Sequence, residues 1–134
     1  MPLMKLLKRY QKYRVGRIRI GAHVVRAIIA DTFIKRLLGL MYVKGLNGGA
    51  CMLFVFPASG RHGIWMRNML FPIDIVWVNS SGNVIDCVQN ARPCNTLQCE
   101  VFVPSSNAKY IIEARSGFVK RHGLKNRSKI IISL

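Results

Sequence analysis

A chain of 134 residues with 51% hydrophobic side chains and no low-complexity tract fills one domain with one core and needs no staples. It lacks the run of about twenty apolar residues that a membrane-spanning helix requires. Its first apolar stretch, Leu3 to Leu7, is broken by Lys5 and has no small-residue cleavage site, so no cleaved leader is expected and the expected address is the cytoplasm. The formal charge of +16, from 21 Lys+Arg against 5 Asp+Glu, predicts a positive field that attracts nucleic-acid phosphates and anionic membrane surfaces alike without naming a partner.

Taken in order, Leu3, Leu6, Leu7, Tyr10 and Tyr13 recur at helical spacing, and Lys5, Lys8, Arg9 and Lys12 fill the other face. This predicts a basic amphipathic helix or arm over residues 1–19, preceding a β-rich domain over 20–134. From Arg14 the period shortens. Val15 to Ile20 and His23 to Ile29 are β-branched runs flanking Gly21-Ala22, the pattern of a hairpin. Asp31-Thr32 supplies an N-cap for a short helix in which Phe33, Ile34, Leu37 and Leu38 form the apolar stripe, Lys35 and Arg36 point outward, and Gly39 ends the turn. The loop from Gly45 to Gly49 has no following G-K-S/T and is read as a connection, not a phosphate cradle.

Met52 to Phe56 is a continuous apolar strand that Pro57 is expected to stop. Ile73 to Val78 is a second, paired with Val84 to Gln89 across the turn Asn79-Ser80-Ser81-Gly82-Asn83. Val101 to Val103, followed by Pro104, reads as an edge strand, and Tyr110 to Ala114 as a further strand. Ser116 to Gly123 holds a turn or two of helix, and Lys129 to Leu134 closes the domain. Many short strands without long helical crossovers predict a mostly β (β-rich α+β) fold, a small antiparallel barrel or sandwich with one or two short helices.

The chemistry concentrates between Gly63 and Trp77. Trp65, Arg67, Asn68 and Asp74 interrupt an apolar run, and buried polar groups persist only when hydrogen-bonded or paired. With Glu113 they form a candidate ligand-binding cluster. Cys94 and Cys99, separated by a loop of four residues, can form a disulfide if the loop turns back, whereas the spacing of Cys51, Cys87, Cys94 and Cys99 suits neither a zinc ribbon nor a thioredoxin-like motif. No metal and no cofactor is expected. Cys51, beside Met52-Leu53-Phe54, is read as buried and inert, which weakens a Cys51–His62 nucleophile.

Gly39-Leu40-Met41, Met52-Leu53-Phe54, Trp65-Met66-Arg67-Asn68, Pro72-Ile73-Asp74, the Cys94/Cys99 loop and Ile112-Glu113 stand in the order G-L-M, M-L-F, W-M-K/R-N, P-L/I-D seen in the uncharacterised conserved family called domain of unknown function 192. From about Ile20 onward the chain resembles that family. The resemblance implies a compact β-rich domain and brings no reaction with it. Four positions depart from the family pattern: Cys51 replaces a usual Gly, Met69 a usual Thr, and Asn126-Arg127 a usual Gly-Asp.

Three readings follow. The first is a module binding a small ligand or protein through Trp65, Arg67, Asn68, Asp74 and Glu113. The second is a hydrolase-like enzyme in which Asp74 and Glu113 divide acid and base roles, with Asn68, Arg67 and His62 assisting. The third is an anion binder, for nucleic acid or membrane surfaces, acting through Lys5, Lys8, Arg9 and Lys12 and through Lys120, Arg121, Lys125, Arg127 and Lys129. The first two require Asp74 and Glu113 to share one face or pocket.

Overall fold

A computed structural model describes residues 12–46 and 49–134. The expected helix over the first residues lies largely outside this range. The first hairpin is formed by β1 (Val15–Ile20) and β2 (His23–Ala30), with Ile20 opposite His23. β1 therefore occupies residues assigned to the N-terminal arm, and the sheet begins at Val15. Strict alternation in β1 turns Ile18 and Ile20 inward and Arg17 and Arg19 outward.

Helix α1 (Phe33–Leu38) is capped by the Thr32 hydroxyl, which accepts from the Lys35 N–H at 3.2 Å. It lies in the crossover to β3 (Cys51–Gly60), which runs parallel to β2. A crossover is what a parallel pair requires. β3 continues through Pro57, where the sequence predicts a stop, because its pairing is irregular between Val55 and Gly60 and the imide there needs no ladder donor.

The remaining elements are β4 (Ile64–Trp65), β5 (Ile73–Val78), β6 (Val84–Ala91), β7 (Val101–Phe102), β8 (Ala108–Arg115), α2 (Phe118–Arg121) and β9 (Ile131–Ser133). One seven-stranded sheet runs β6-β5-β8-β3-β2-β1-β9, antiparallel except at β2–β3, and β4 pairs with β7 in a separate ribbon. The large sheet curls into a half-barrel. Backbone bonds from Arg127 and Ile130 to the Val84 and Gly82 carbonyls tie the segment before β9 to the start of β6. Gly82 permits that approach: a Cβ there would stand 2.6 Å from the Ile130 oxygen, and its φ of +85° is itself unfavourable to other residues.

Two apolar clusters sit on opposite sides of the sheet. One joins Ile18, Val25, Leu53, Val76, Val84, Ile112 and Ile130, from both ends of the strand order, and so fills the concave interior. The other packs Phe54, Ile73, Ile75, Trp77 and Ile111 beneath Leu40, Met66 and Met69 on the outer face. β5 is therefore buried along its whole length. Each large side chain buried this way contributes roughly 1.5–3 kcal/mol.

Candidate functional site

The five residues of the candidate cluster do not converge. On the paired strands β5 and β8, Asp74 stands opposite Ala114 and Ile75 opposite Glu113. Successive side chains of a strand alternate faces, so Asp74 enters the concave side and Glu113 the outer side. This corrects the single-site expectation and puts Asp74 and Glu113, the two carboxylates the acid–base reading needs together, on different faces.

Asp74 is fully buried and saturated. One carboxylate oxygen accepts from Asn90 N–H at 2.8 Å, and the other accepts from Gly117 N–H at 3.1 Å and Val119 N–H at 2.9 Å. It thus fastens the end of β6 and satisfies the first turn of α2, donors that a helix start leaves unpaired. Asn68 likewise serves the backbone: at φ +60° it turns the chain, its carbonyl accepts from Tyr42 N–H at 2.8 Å, and its amide donates to the Met41 sulfur.

Glu113 is the opposite case. It is 4% exposed, flanked in the sheet by Met52 of β3 and Ile75 of β5, and among the described residues its carboxyl has no hydrogen-bond or ion-pair partner; its oxygens open onto a cavity, whereas the fully enclosed unpaired side-chain atom among these residues is His122 Nδ1. Burial without compensation pushes the pKa of Glu113 up to about 8, so at neutral pH it is mainly the uncharged acid. It lines a cavity of about 410 Å³ on the outer face, between α1, β3 and the β4 segment.

The walls of this cavity explain α1. Its apolar residues are not core: Phe33 is 70% and Leu37 52% exposed, and no residue of the helix is buried. The expected orientation is reversed, because Arg36 is the side chain drawn toward the sheet, donating to the Val55 carbonyl at 3.0 Å and lying 5.1 Å from the Phe56 ring. Phe56 in turn stacks on His62, with ring centres 3.7 Å apart and planes 5° from parallel. His62 Nε2 lies 2.9 Å from the Ala58 carbonyl; since a carbonyl only accepts, that nitrogen carries the proton.

On the opposite wall Trp65, 40% exposed, packs against the Arg67 guanidinium at 5.5 Å. Phe54 and buried Met69, the residue found in place of the family's usual threonine, complete the apolar lining. Of the candidate cluster, Trp65, Arg67 and Glu113 meet here. Arg36, Phe56 and the exposed stripe of α1 were missed as site residues because helical spacing alone does not say whether a stripe faces a core or a cavity.

The rim segment is held by the cysteine loop. Cys94 and Cys99 are joined as a disulfide with Cα atoms 5.8 Å apart, Cys94 N–H donates to Met66 O at 3.0 Å, and β7 pairs with β4 so that Trp65 faces Val101. Cys51 and Cys87 are free. Burial pushes their thiols to about 12 and about 11, the second also raised by Asp86 and Asp74, so neither is an activated nucleophile. Among the described residues no group of His, Cys, Asp and Glu is arranged to hold a metal ion, and none of their helices is long and apolar enough to cross a membrane.

The basic residues are scattered differently. Lys5, Lys8 and Arg9 lie outside the described range and Lys12 is exposed. Lys129 donates to the Ser81 carbonyl. Arg121 joins His23, Arg26, Arg115 and His122 around a second concavity, while Lys120, Lys125 and Arg127 do not line it.

The family model described as an uncharacterized ACR, DUF192, matches residues 16–132. The chain belongs to this family. Relatives include a UPF0127 protein of Thermococcus kodakarensis, 38% identical over 69% of the chain and 55% of the relative. Another, from Pyrococcus furiosus, is 35% identical over 68% of the chain and 72% of the relative. The chain spans a little over half the length of the Thermococcus proteins it matches. Among solved structures, a Sinorhizobium meliloti protein provisionally described as a transcription regulator superposes with a TM-score of 0.81 at 26% identity, over 90% of this chain and 95% of that one. A Novosphingobium aromaticivorans protein of unknown function gives 0.81 at 24% identity, over 90% and 87%, and shares the fold. The DUF192 core thus contains both the Asp74 knot and the Glu113 cavity.

Proposed function

We propose that this DUF192 domain is a binding module that takes a small, largely apolar ligand into the cavity between α1, β3 and the β4 segment. The observation that carries this is Glu113: a carboxyl 4% exposed, with no partner among the described residues, on the wall of a largely apolar cavity of about 410 Å³. Its oxygens open onto the cavity, so a ligand placed there can supply the hydrogen bond that the described residues do not. The volume falls in the range of small-molecule sites, and a few polar groups in an apolar lining are what orient a ligand. Exposed Phe33, Leu37 and Trp65 supply surface that a ligand would cover.

The test uses an uncharged aromatic dye, N-phenyl-1-naphthylamine, whose fluorescence rises in apolar surroundings. Binding at one site per chain, weakened about tenfold by Leu37→Asp, is expected, since Leu37 is exposed and its replacement leaves the core intact. No saturable binding, or binding indifferent to Leu37→Asp, overturns the reading.

A further inference from the structure

We infer that the cavity selects a flat apolar acid: a ligand whose ring system lies among Phe54, Leu37 and Met69, whose carboxylate or sulfonate is taken by Arg36 and Arg67 at the mouth, and which accepts a hydrogen bond from the Glu113 hydroxyl. The inference rests on the ligand reading of this same cavity and adds the charge and shape of what enters. Two guanidiniums line it, and neither has an acidic partner, since the ion pairs among the described residues are Arg14–Asp31 and Lys35–Asp31. Each lies against a ring, Arg36 with Phe56 and Arg67 with Trp65, so each is already oriented before an anion arrives. A pre-organised planar fork loses less freedom on gripping a carboxylate than a free side chain does.

The acid within the cavity works in the same direction. A cationic ligand would meet two positive groups and an uncharged carboxyl, with no counter-charge to hold it. An anion meets the reverse: two cations and a neutral acid that can donate. The other titratable and charged groups that line the cavity are Arg36 from α1, His62 after β3 and Arg67 after β4, while Met52 and Ile75 adjoin Glu113 in the sheet; among the described residues no second acid lines it. Ionisation of Glu113 above about pH 8 would place a negative charge beside the ligand and expel it. The shape follows from the walls. The ring of Phe54 and the indole of Trp65 offer surfaces that suit an aromatic body, stacked or edge-on.

The experiment compares two dyes with one ring system: N-phenyl-1-naphthylamine, uncharged, and 1-anilinonaphthalene-8-sulfonate, its anionic counterpart. The sulfonate is expected to bind about tenfold more tightly. Arg67→Gln should remove that advantage, whereas Arg127→Gln, an equal change of net charge away from the cavity, should leave it. Sulfonate affinity should fall as pH rises through 8 in the natural protein and stay level in Glu113→Gln, which isolates Glu113 from His62. If both dyes bind equally, or if the two arginine variants weaken the sulfonate equally, the acid selectivity is overturned while the cavity reading stands. If neither dye binds, the cavity reading itself fails and takes this inference with it.

Discussion

Asp74 and Glu113 are one strand apart, both buried, and opposite in every other respect. Asp74 receives three backbone N–H groups and organises the ends of β6 and α2; Glu113 receives none and faces a cavity. A buried carboxylate whose lone pairs are filled by the fold belongs to the fold, and one whose partners are missing is left for something else. Burial alone does not separate the two. The identity of the neighbours does.

Truncating each acid in turn tests this difference most directly. Asp74→Ala should cost on the order of 3–5 kcal/mol in urea unfolding, because three backbone N–H donors lose their shared buried acceptor. Glu113→Leu at pH 8 should leave stability unchanged or raise it, since it removes an uncompensated polar group of similar volume. Equal losses in the two variants would show that Glu113 is structural too.

The pH dependence sharpens the same contrast. Glu113 binds its proton more tightly folded than unfolded, so between its ordinary value of 4.5 and about 8 the native state holds more protons. Stability should therefore fall as pH rises across that window, by a few kcal/mol at about 1.4 kcal/mol per pKa unit. Glu113→Gln should flatten this slope in parallel denaturation series at pH 5 and pH 8. A slope that survives in the variant would assign it to another group.

The smallest effect concerns the rim. The Cys94–Cys99 bridge closes a short loop whose Cys94 N–H holds Met66, next to Trp65 and Arg67. Reduction should cost about 2 kcal/mol or less by loop entropy. It should change Trp65 fluorescence while leaving the interior indole of Trp77, hydrogen-bonded to the His62 carbonyl at 2.8 Å, in place. Replacing Trp65 with Phe separates the two signals. An unchanged Trp65 signal would detach the cysteine loop from the cavity.

How much of this was legible depended on the range of the interaction. The first hairpin, the Thr32 cap, β5 and its pairing with β6, and the family itself follow from turn residues and alternation, which act over a few positions. The strand through Pro57 was not legible, because only the irregular pairing with β8 makes a proline acceptable there. Nor was the attitude of α1. Phe33, Ile34 and Leu37 have the spacing of a core stripe, and only the position of Val55 and Phe56 draws Arg36 inward instead.

Residue order alone was enough to show a small β-rich domain of the DUF192 family, unusual polar groups near Trp65 to Asp74 and at Glu113, and a formal net charge of +16. Those properties reside in residue types and short-range periodicity. Which carboxyl is saturated and which is bare was decided only by the tertiary structure. The register of β5 against β8 sets Asp74 opposite Ala114 and Ile75 opposite Glu113. A shift of one residue would bring the two onto the same face, and register depends on contacts between segments about forty residues apart that no local pattern specifies.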